Sequence, residues 1–242
     1  MAGVETTPRR GRPPKNAAKL SRARIVDAAL EAIDSGGIGS VSMRSVARSM
    51  NADPKSLYNH VAGIDDLLDA VAERILGSIG APPRTGDTRA DLTAVADAFR
   101  TATLAHRAAA PLILTRQMSS LDGLAPVDAT LSVLVDAGAS ADDAVHLLRT
   151  FVAALVGALL REVNAGPTFG TSDVETIARR ESDLATAGLR AVADAAAALA
   201  RFDAAAEYRY TVDFLIDGAL ARIDGAATQR VPDRPHAATV GP

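Results

Sequence analysis

The chain has 242 residues, of which 48% are hydrophobic and 3% aromatic, and its formal net charge is −3 at pH 7. A chain this long and apolar can bury a large core, which excludes an intrinsically disordered protein. The absence of Cys excludes disulfides, thiolate metal sites and thiol nucleophiles, and it suits a reducing cytoplasm. Because Ala is abundant and is the best helix former, the composition predicts an all-α fold.

The charge is distributed unevenly along the chain. Residues 1–60 hold ten Lys and Arg against five Asp and Glu, whereas residues 61–242 hold sixteen against twenty-four. A basic front on an acidic body is typical of a protein that approaches a polyanion from one end, although an imbalance of solvated charges alone gives the same count.

Residues 1–20 are polar, basic and rich in Pro, and we predict that this arm is disordered. It has no apolar run of the kind that a signal peptide needs. A first helix is predicted to begin after Ser21 as N-cap, with Ile25, Ala29 and Ile33 on one face, and to stop at the glycines from Gly36.

Two short helices and a fourth, longer one are predicted to follow. Ser42 is the expected N-cap of the second helix, and Asn51 suits a tight left-handed turn. Asp53 and Pro54 are the expected N-cap and first residue of the third helix. The fourth helix is predicted to start near Ile64 and to end at about 76.

The segment GAPPRTGD, residues 80–87, is the expected domain boundary. Helical patterns resume at about 88–108, 111–119, 126–137, 140–164, 173–200 and 203–224. The sequence therefore predicts a disordered arm at 1–20, a first helical domain at 21–79, a second and larger helical domain at 88–224, and a disordered tail at 225–242.

The segment 42–60, SMRSVARSMNADPKSLYNH, has the features of a helix-turn-helix. Val46, Ala47, Met50 and Leu57 are expected to face the core, and the outer face keeps donor-rich side chains that reach phosphates and base edges. These are Arg44, Lys55, Ser56, Tyr58, Asn59 and His60. An ordinary αα-hairpin with a polar surface gives the same spacing.

Residues 22–76 resemble the DNA-binding domain of the TetR family of transcriptional regulators. The resemblance lies in RARIVDAALEAIDSGG, VSMRSVARSM, SLYNHV and DDLLDAV. It implies an all-α fold, with a three-helix DNA-binding domain followed by a larger ligand-binding and dimerisation domain. It also implies DNA contacts from Ser42, Arg44, Pro54, Lys55, Ser56, Tyr58 and His60.

Two positions depart from the family pattern. Ile64, beside two Asp residues, stands where the family often has a Lys that contacts the DNA backbone, so a phosphate contact there would use backbone N–H groups. Asn51 replaces the usual Gly of the turn, which is a mild change because Asn tolerates the left-handed conformation.

The segment PRRGRPPK, residues 8–15, resembles an AT-hook, in which Arg10 and Arg12 would enter the narrow minor groove of A·T-rich DNA. A generic basic tail is the alternative interpretation. If the seven basic residues from Arg9 to Arg24 contact DNA, their removal flattens the salt dependence of binding.

The body offers a dimer surface and candidates for an inducer pocket. The run 151–160, FVAALVGALL, is apolar around the whole helix, and the last helix has apolar residues at three-and-four spacing. The family resemblance implies a four-helix dimer interface from these two helices. The expected pocket residues are Phe99, His106, Arg107, Arg116, Gln117, Met118, Phe151 and Arg161, each of which is also compatible with an ordinary core or surface position.

These features predict a cytoplasmic homodimeric repressor that binds a palindromic operator and is released by a small molecule. No catalytic or metal-binding motif is recognisable, so neither an enzyme nor a metal site nor a cofactor is expected. An architectural protein that binds A·T-rich DNA without a ligand is the alternative from another class. A ligand-independent activator of the same family is also compatible with the sequence.

Overall fold

Twelve α-helices make up most of the described part of the chain, which in this computed structural model comprises residues 20–116, 121, 124–165 and 170–230. The first six helices are α1 (Arg22–Gly36), α2 (Met43–Ser49), α3 (Pro54–Leu57), α4 (Ile64–Gly77), α5 (Thr88–Ala105) and α6 (Ala110–Thr115). The others are α7 (Ala125–Asp136), α8 (Ala141–Leu160), α9 (Val174–Ala185), α10 (Arg190–Asp194), α11 (Ala196–Ala200) and α12 (Ala204–Arg230). The all-α prediction is confirmed.

The starts of the first three helices are fixed by side-chain caps, as predicted. The hydroxyl of Ser21 accepts a hydrogen bond from the backbone N–H of Arg24 at 3.4 Å, and the carboxylate of Asp53 accepts one from Lys55 at 2.9 Å. Ser42 and Ser45 form a reciprocal capping box at α2. Each cap satisfies a backbone donor that the helix cannot pair internally.

The turn between α2 and α3 depends on Asn51, whose φ of 51° lies in the left-handed region. Asn occupies this region more readily than most residues other than Gly, so the sharp turn needs no glycine here. Gly37, with a φ of 77°, ends α1. The predicted roles of both residues are confirmed.

The head, residues 20–79, is built around one core formed by α1, α2, α3 and α4. Its fully buried side chains include Ile25, Ile33, Leu57, Leu67 and Ile75. The same core cluster includes Ala109, Leu112 and Ile113, which belong to the body and lie in or just before α6. The core of the head is therefore continuous with a helix of the body.

The body, residues 81–230, has a second core formed by α5, α6, α7, α8 and α12. Phe151 and Leu155 of α8 pack there with Ile216 and Val212 of α12. The hydroxyl of the buried Tyr208 donates a hydrogen bond to the carbonyl of Ala96 at 2.7 Å, which joins α12 to α5.

The segment 80–87 between head and body is held in place by a single buried carboxylate. Asp91 accepts hydrogen bonds from the backbone N–H and the hydroxyl of Thr85, both at 2.7 Å, and from Arg84 Nε at 3.2 Å. Arg84 also forms an ion pair with Asp136 of α7 at 3.0 Å. These hydrogen bonds lower the pKa of Asp91 to about 2. The segment rich in helix breakers is thus fastened to the body.

Two predicted helix boundaries are wrong. The single helix expected over 173–200 is divided into α9, α10 and α11. Gly188, with a φ of 72°, lies in the break between α9 and α10, and Ala195, with a φ of −98° and a ψ of 4°, separates α10 from α11. The tail expected to be disordered from 225 begins as a continuation of α12 to Arg230. The residues AATQR at this end are good or neutral helix formers, and one Gly does not stop the helix.

Because the run 151–160 is apolar around the whole helix, the sequence predicts that it is buried on all sides, and within one chain this is wrong. Phe151, Leu155 and Leu159 are buried, but Val152, Ala153 and Gly157 are exposed. By length and composition the stretch Ala141–Val163 is apolar enough to cross a bilayer, but apolar core helices of soluble proteins pass the same test. Here α8 packs against α7 and α12.

Candidate nucleic-acid interface and body cavity

The outward face of α2 and α3 has the donor-rich side chains predicted from the sequence. Arg44, Lys55, Tyr58 and Asn59 are exposed, while Pro54, Ser56 and His60 are half-buried. Tyr58 is 55% exposed, which is unusual for a large aromatic residue beside a well-packed core. The buried Leu57 between Ser56 and Tyr58 fixes this face relative to the head.

Ser42 contributes to this face through its cap. Its hydroxyl accepts from the backbone N–H of Ser45 at 3.0 Å, and the hydroxyl of Ser45 accepts from the backbone N–H of Ser42 at 2.8 Å. This box holds the first turn of α2, from which Arg44 projects. Ser42 is itself exposed at the same end of the helix.

An ion pair not predicted from the sequence fixes the far end of α3. Arg22 of α1 binds both carboxylate oxygens of Asp66 in α4, at 2.7 and 2.9 Å, and also donates to the backbone carbonyl of His60 at 3.1 Å. Asp66 in turn accepts from the backbone N–H of Ala62 at 2.7 Å. The hydrogen bond from Arg22 is the largest cause of the lowered pKa of Asp66, about 2.

This ion pair changes the count of basic residues available to DNA. Arg22 belongs to the seven basic residues that the sequence placed in the arm and first helix, yet its guanidinium is neutralised by Asp66. No local sequence pattern indicates the pair, because the two residues are 44 positions apart. Arg10 and Arg12 lie outside the described residues.

The start of α4 provides backbone groups but no basic side chain. Its N-cap is Gly63, which makes no side-chain cap, and its first turn contains Asp65 and Asp66. Asp66 already accepts the N–H of Ala62. This geometry agrees with the departure noted at Ile64, and a phosphate contact from α4 stays a prediction.

A cavity of about 230 Å³ lies in the body between α4, α5, α6, α7 and α8. Three predicted pocket residues line it: Phe99 of α5, Phe151 of α8, and Arg116 at the end of α6. Gln117 and Met118 lie outside the described residues. The sequence missed other lining side chains, among them Leu92, Val95, Val127, Thr130, Leu148 and Leu155. Apolar residues at helical spacing look alike whether they line a cavity or fill a core.

The other three predicted pocket residues do not line this cavity, and their role in ligand binding stays a prediction. His106 Nδ1 lies 2.8 Å from Asp34 Oδ2 and thus joins the body to α1 of the head. Arg107 donates to the backbone carbonyl of Glu162 at 3.0 Å, within the π-helical turn Arg161–Ala165. Arg161 is exposed. These charged or polar side chains contact polar groups or water, because burying them in an apolar cavity without a partner would be unfavourable.

Arg116 connects the cavity to the head. It donates to the backbone carbonyl and to Oδ1 of Asp65, each at 3.2 Å, and it forms an ion pair with Asp69. Both acidic residues belong to α4. The hydrogen bond to Asp69 is the largest cause of the raised pKa of Arg116. One side chain therefore touches both the cavity and the helix that ends the head.

Comparison with known proteins identifies the chain. Residues 25–71 match the model of "Bacterial regulatory proteins, tetR family", and residues 81–223 match "Tetracyclin repressor-like, C-terminal domain". The chain belongs to the TetR family. The class A tetracycline repressor of Escherichia coli is 33% identical over 147 residues, which cover 60% of this chain and 68% of the repressor.

Further relatives agree with this assignment. A regulator of Saccharopolyspora erythraea is 34% identical over 49% of this chain, and the matched region spans 51% of that regulator. The structure of the Streptomyces coelicolor TetR family protein ActR in complex with actinorhodin superposes with a TM-score of 0.75 at 24% identity, covering 85% of this chain and 99% of that one. A possible TetR family regulator from the same organism has a TM-score of 0.68 at 27% identity, covering 84% and 100%.

Membership of the TetR family establishes the general class of the protein. The family consists of DNA-binding transcriptional regulators and not of enzymes. The helix-turn-helix predicted over 42–60 is confirmed as the DNA-binding element of such a regulator. Its individual DNA contacts stay predictions.

Proposed function

We propose that this TetR family protein is a cytoplasmic repressor, which binds a palindromic operator as a homodimer and is released by a small molecule. The observation that carries the proposal is the outward face of α2 and α3, where Arg44, Lys55, Tyr58 and Asn59 are exposed on a tightly packed head. A face with this chemistry, on two helices of this size, fits the major groove.

The proposed base and phosphate contacts come from this face. Lys55 and Ser56 lie in the first turn of α3 and reach base edges, whereas Arg44, Tyr58 and His60 contact phosphates. Ser42, Pro54 and Asn59 complete the face. We also propose that Arg10 and Arg12 enter the adjacent minor groove, because the chain leaves the head at α1, whose Arg22 contacts the end of α3.

The proposed dimer interface is the exposed side of α8 and α12. Ala153 and Gly157 of α8 are exposed, and so are Phe214 and Gly218 of α12, although the opposite sides of both helices are buried. Small side chains allow close approach of helices, and Phe214 at 67% exposure offers an apolar anchor. Two heads joined in this way read two half-sites about 34 Å apart, or a multiple of that distance.

The proposed release by a ligand is supported by the position of α6. Leu112 and Ile113 belong to the core of the head, while Ile113, Leu114 and Arg116 line the cavity of the body. A ligand that prefers one arrangement of α6 therefore also changes the position of α4 and the recognition helix. The ActR complex with actinorhodin shows that a family member of this fold takes a small molecule.

The experiment that tests the proposal is selection of binding sites from random duplex DNA, with purified protein at about 0.15 M salt, where non-specific binding is weakened. We expect a palindrome with two half-sites. Enrichment of A·T-rich sequence without symmetry would instead identify an architectural protein. No enrichment would contradict the proposal altogether. A reporter downstream of the recovered palindrome then distinguishes repression from activation.

A further inference from the structure

The cavity of the body has an unusual distribution of polarity. Among its sixteen lining residues, the polar ones are Arg116 and Thr130. The hydroxyl of Thr130 already donates to the backbone carbonyl of Pro126 at 2.8 Å, within α7. Among the described residues that line the cavity, Arg116 is thus the principal hydrogen-bond donor, and the others are almost all apolar.

The guanidinium of Arg116 is occupied, but not fully. Its described hydrogen bonds use both N–H groups of Nη1 and one of Nη2, to Asp65 and Asp69. An arginine has five N–H donors. No described residue accepts from the Nε–H or from the second Nη2–H of Arg116, so these two groups can donate to a ligand. A ligand oxygen can begin to bind before either carboxylate is displaced.

The two carboxylates differ from Arg116 in their contact with solvent. The side chain of Asp65 is 86% exposed and that of Asp69 35%, whereas Arg116 is 25% exposed. An exposed carboxylate that loses its partner is readily hydrated, so its ion pair contributes little. An anionic ligand in the cavity, by contrast, meets Arg116 from a side lined mostly by apolar residues, where the attraction is screened less than in open water.

We infer that the cavity takes a compact apolar acid, whose carboxylate binds Arg116 in competition with Asp65 and Asp69. The effect on DNA binding rests on the proposed function: when the acid replaces Asp65 and Asp69 at Arg116, the end of α6 no longer holds α4. A neutral molecule of the same shape fills the cavity but cannot compete with two carboxylates for the guanidinium. The volume, about 230 Å³, exceeds the 150 Å³ or so that holds benzene and suits a two-ring aromatic acid.

The test compares 2-naphthoate with 2-naphthamide, which have nearly the same shape and differ in charge. Isothermal titration calorimetry on the full-length protein without DNA measures both affinities. We expect 2-naphthoate to bind at least tenfold more tightly than 2-naphthamide. Equal affinities, tighter binding of the amide, or no binding of either compound would overturn the inference.

Two variants assign the preference to Arg116. Arg116→Met removes the guanidinium but retains an apolar side chain of similar reach, and we expect it to lose the preference while it still binds 2-naphthamide. Asp69→Asn removes a competing carboxylate and is expected to bind 2-naphthoate more tightly than the native chain. Arg180→Met, at an exposed position of α9 outside the cavity lining, is the matched control and keeps the native preference. A preference that survives in a folded Arg116→Met protein would overturn the inference.

A second readout separates the ligand class from the proposed function. Fluorescence anisotropy with the selected duplex measures DNA affinity in the presence of each compound. We expect saturating 2-naphthoate to lower DNA affinity at least tenfold, and 2-naphthamide to leave it unchanged. Binding of 2-naphthoate through Arg116 without loss of DNA affinity would confirm the ligand class and contradict the release mechanism.

Discussion

The head and the body differ in what they leave exposed. In the described part of the head, Tyr58 is the large hydrophobic residue with high exposure, and it lies on the face proposed to meet DNA. The body exposes several, including Val152, Leu189, Tyr210 and Phe214. The head packs around one core, while a cavity lies between the helices of the body and α4 of the head.

The two regions differ in how far they bury their apolar surface within one chain. The head is complete within one chain, because four short helices bury their apolar faces against each other and against α6. The body has exposed apolar surface and an internal cavity. Both are unfavourable unless another molecule covers the surface and fills the cavity. This contrast agrees with the proposal that the head reads DNA and that the proposed dimer partner and ligand bind to the body.

The largest expected effect is the loss of stability when a side chain is removed from the core of the head. Leu57 is fully buried beside the recognition face, so Leu57→Ala is expected to lower the free energy of unfolding by about 2 to 5 kcal/mol. Chemical denaturation followed by circular dichroism measures the change. Leu189→Ala, at a position 61% exposed in the body, is the matched control and is expected to change stability by less than about 0.5 kcal/mol. Equal effects would show that the head is not the tighter packed region.

The second prediction concerns the exposed surface of the body. Phe214 stacks on Tyr210, with ring centroids 6.5 Å apart, on the side of α12 proposed to form the dimer. Phe214→Asp is expected to raise the dimer dissociation constant by about 30-fold or more, as loss of a central apolar anchor does. Sedimentation velocity over a range of concentrations measures it. Val174→Asp changes another exposed apolar residue, at a helix start that tolerates acid, and is expected to leave the dimer intact.

The third prediction sharpens the role of the head surface. Lys55→Ala and Tyr58→Ala are each expected to weaken binding to the selected duplex by about tenfold, with dimerisation unchanged. Arg44→Ala, which removes a proposed phosphate contact, is expected to reduce the slope of log affinity against log salt by about 0.9, since one phosphate neutralisation is lost. Fluorescence anisotropy at several salt concentrations measures both quantities. Native affinity in both Lys55→Ala and Tyr58→Ala would contradict the assignment of α3 as the recognition helix.

The smallest expected effect concerns the ion pair that fixes the end of α3. The pKa of Asp66 is lowered from 3.8 to about 2 in the folded chain, so its contribution to stability is present above pH 4 or so and is lost as the pH falls through about 2. Asp66→Asn is expected to cost about 1 kcal/mol at pH 7, less than the shift alone implies, because the side chain is 32% exposed.

Thermal denaturation of the native chain and Asp66→Asn between pH 7 and pH 2 checks this prediction. The difference between the two proteins should shrink toward zero at the acid end. Asp183→Asn, at an exposed position of α9, should match the native chain at every pH. A difference that persists at pH 2 would mean that Asp66 acts through packing and not through its charge.

The head could be predicted almost entirely from the sequence. Ser21, Ser42 and Asp53 cap the helices where expected, and Asn51 takes the left-handed turn. These signals are local, because a cap or a turn depends on residues three or four positions apart. In the body the breaks at Gly188 and Ala195 and the extension of α12 were missed, because no local cap or turn pattern in the sequence marked these helix ends.

The cavity could be predicted only in part. Phe99, Arg116 and Phe151 line it as expected, but His106, Arg107 and Arg161 have other surroundings. A helix pattern shows which residues are apolar, but not whether the space beside them is filled. That depends on how five helices cross, and no local sequence signal describes such a crossing.

The sequence by itself determined the all-α fold, the helix-turn-helix and its outward residues, because these follow from helix propensity, caps and periodicity over short distances. Only the tertiary structure decided that Arg22 is neutralised by Asp66, that Asp91 fastens the segment 80–87, and that Arg116 joins the cavity to α4. The physical reason is common to the Arg22 and Arg116 pairings. An arginine reaches whichever carboxylate the packed helices bring near it, and that packing depends on residues far apart in the chain.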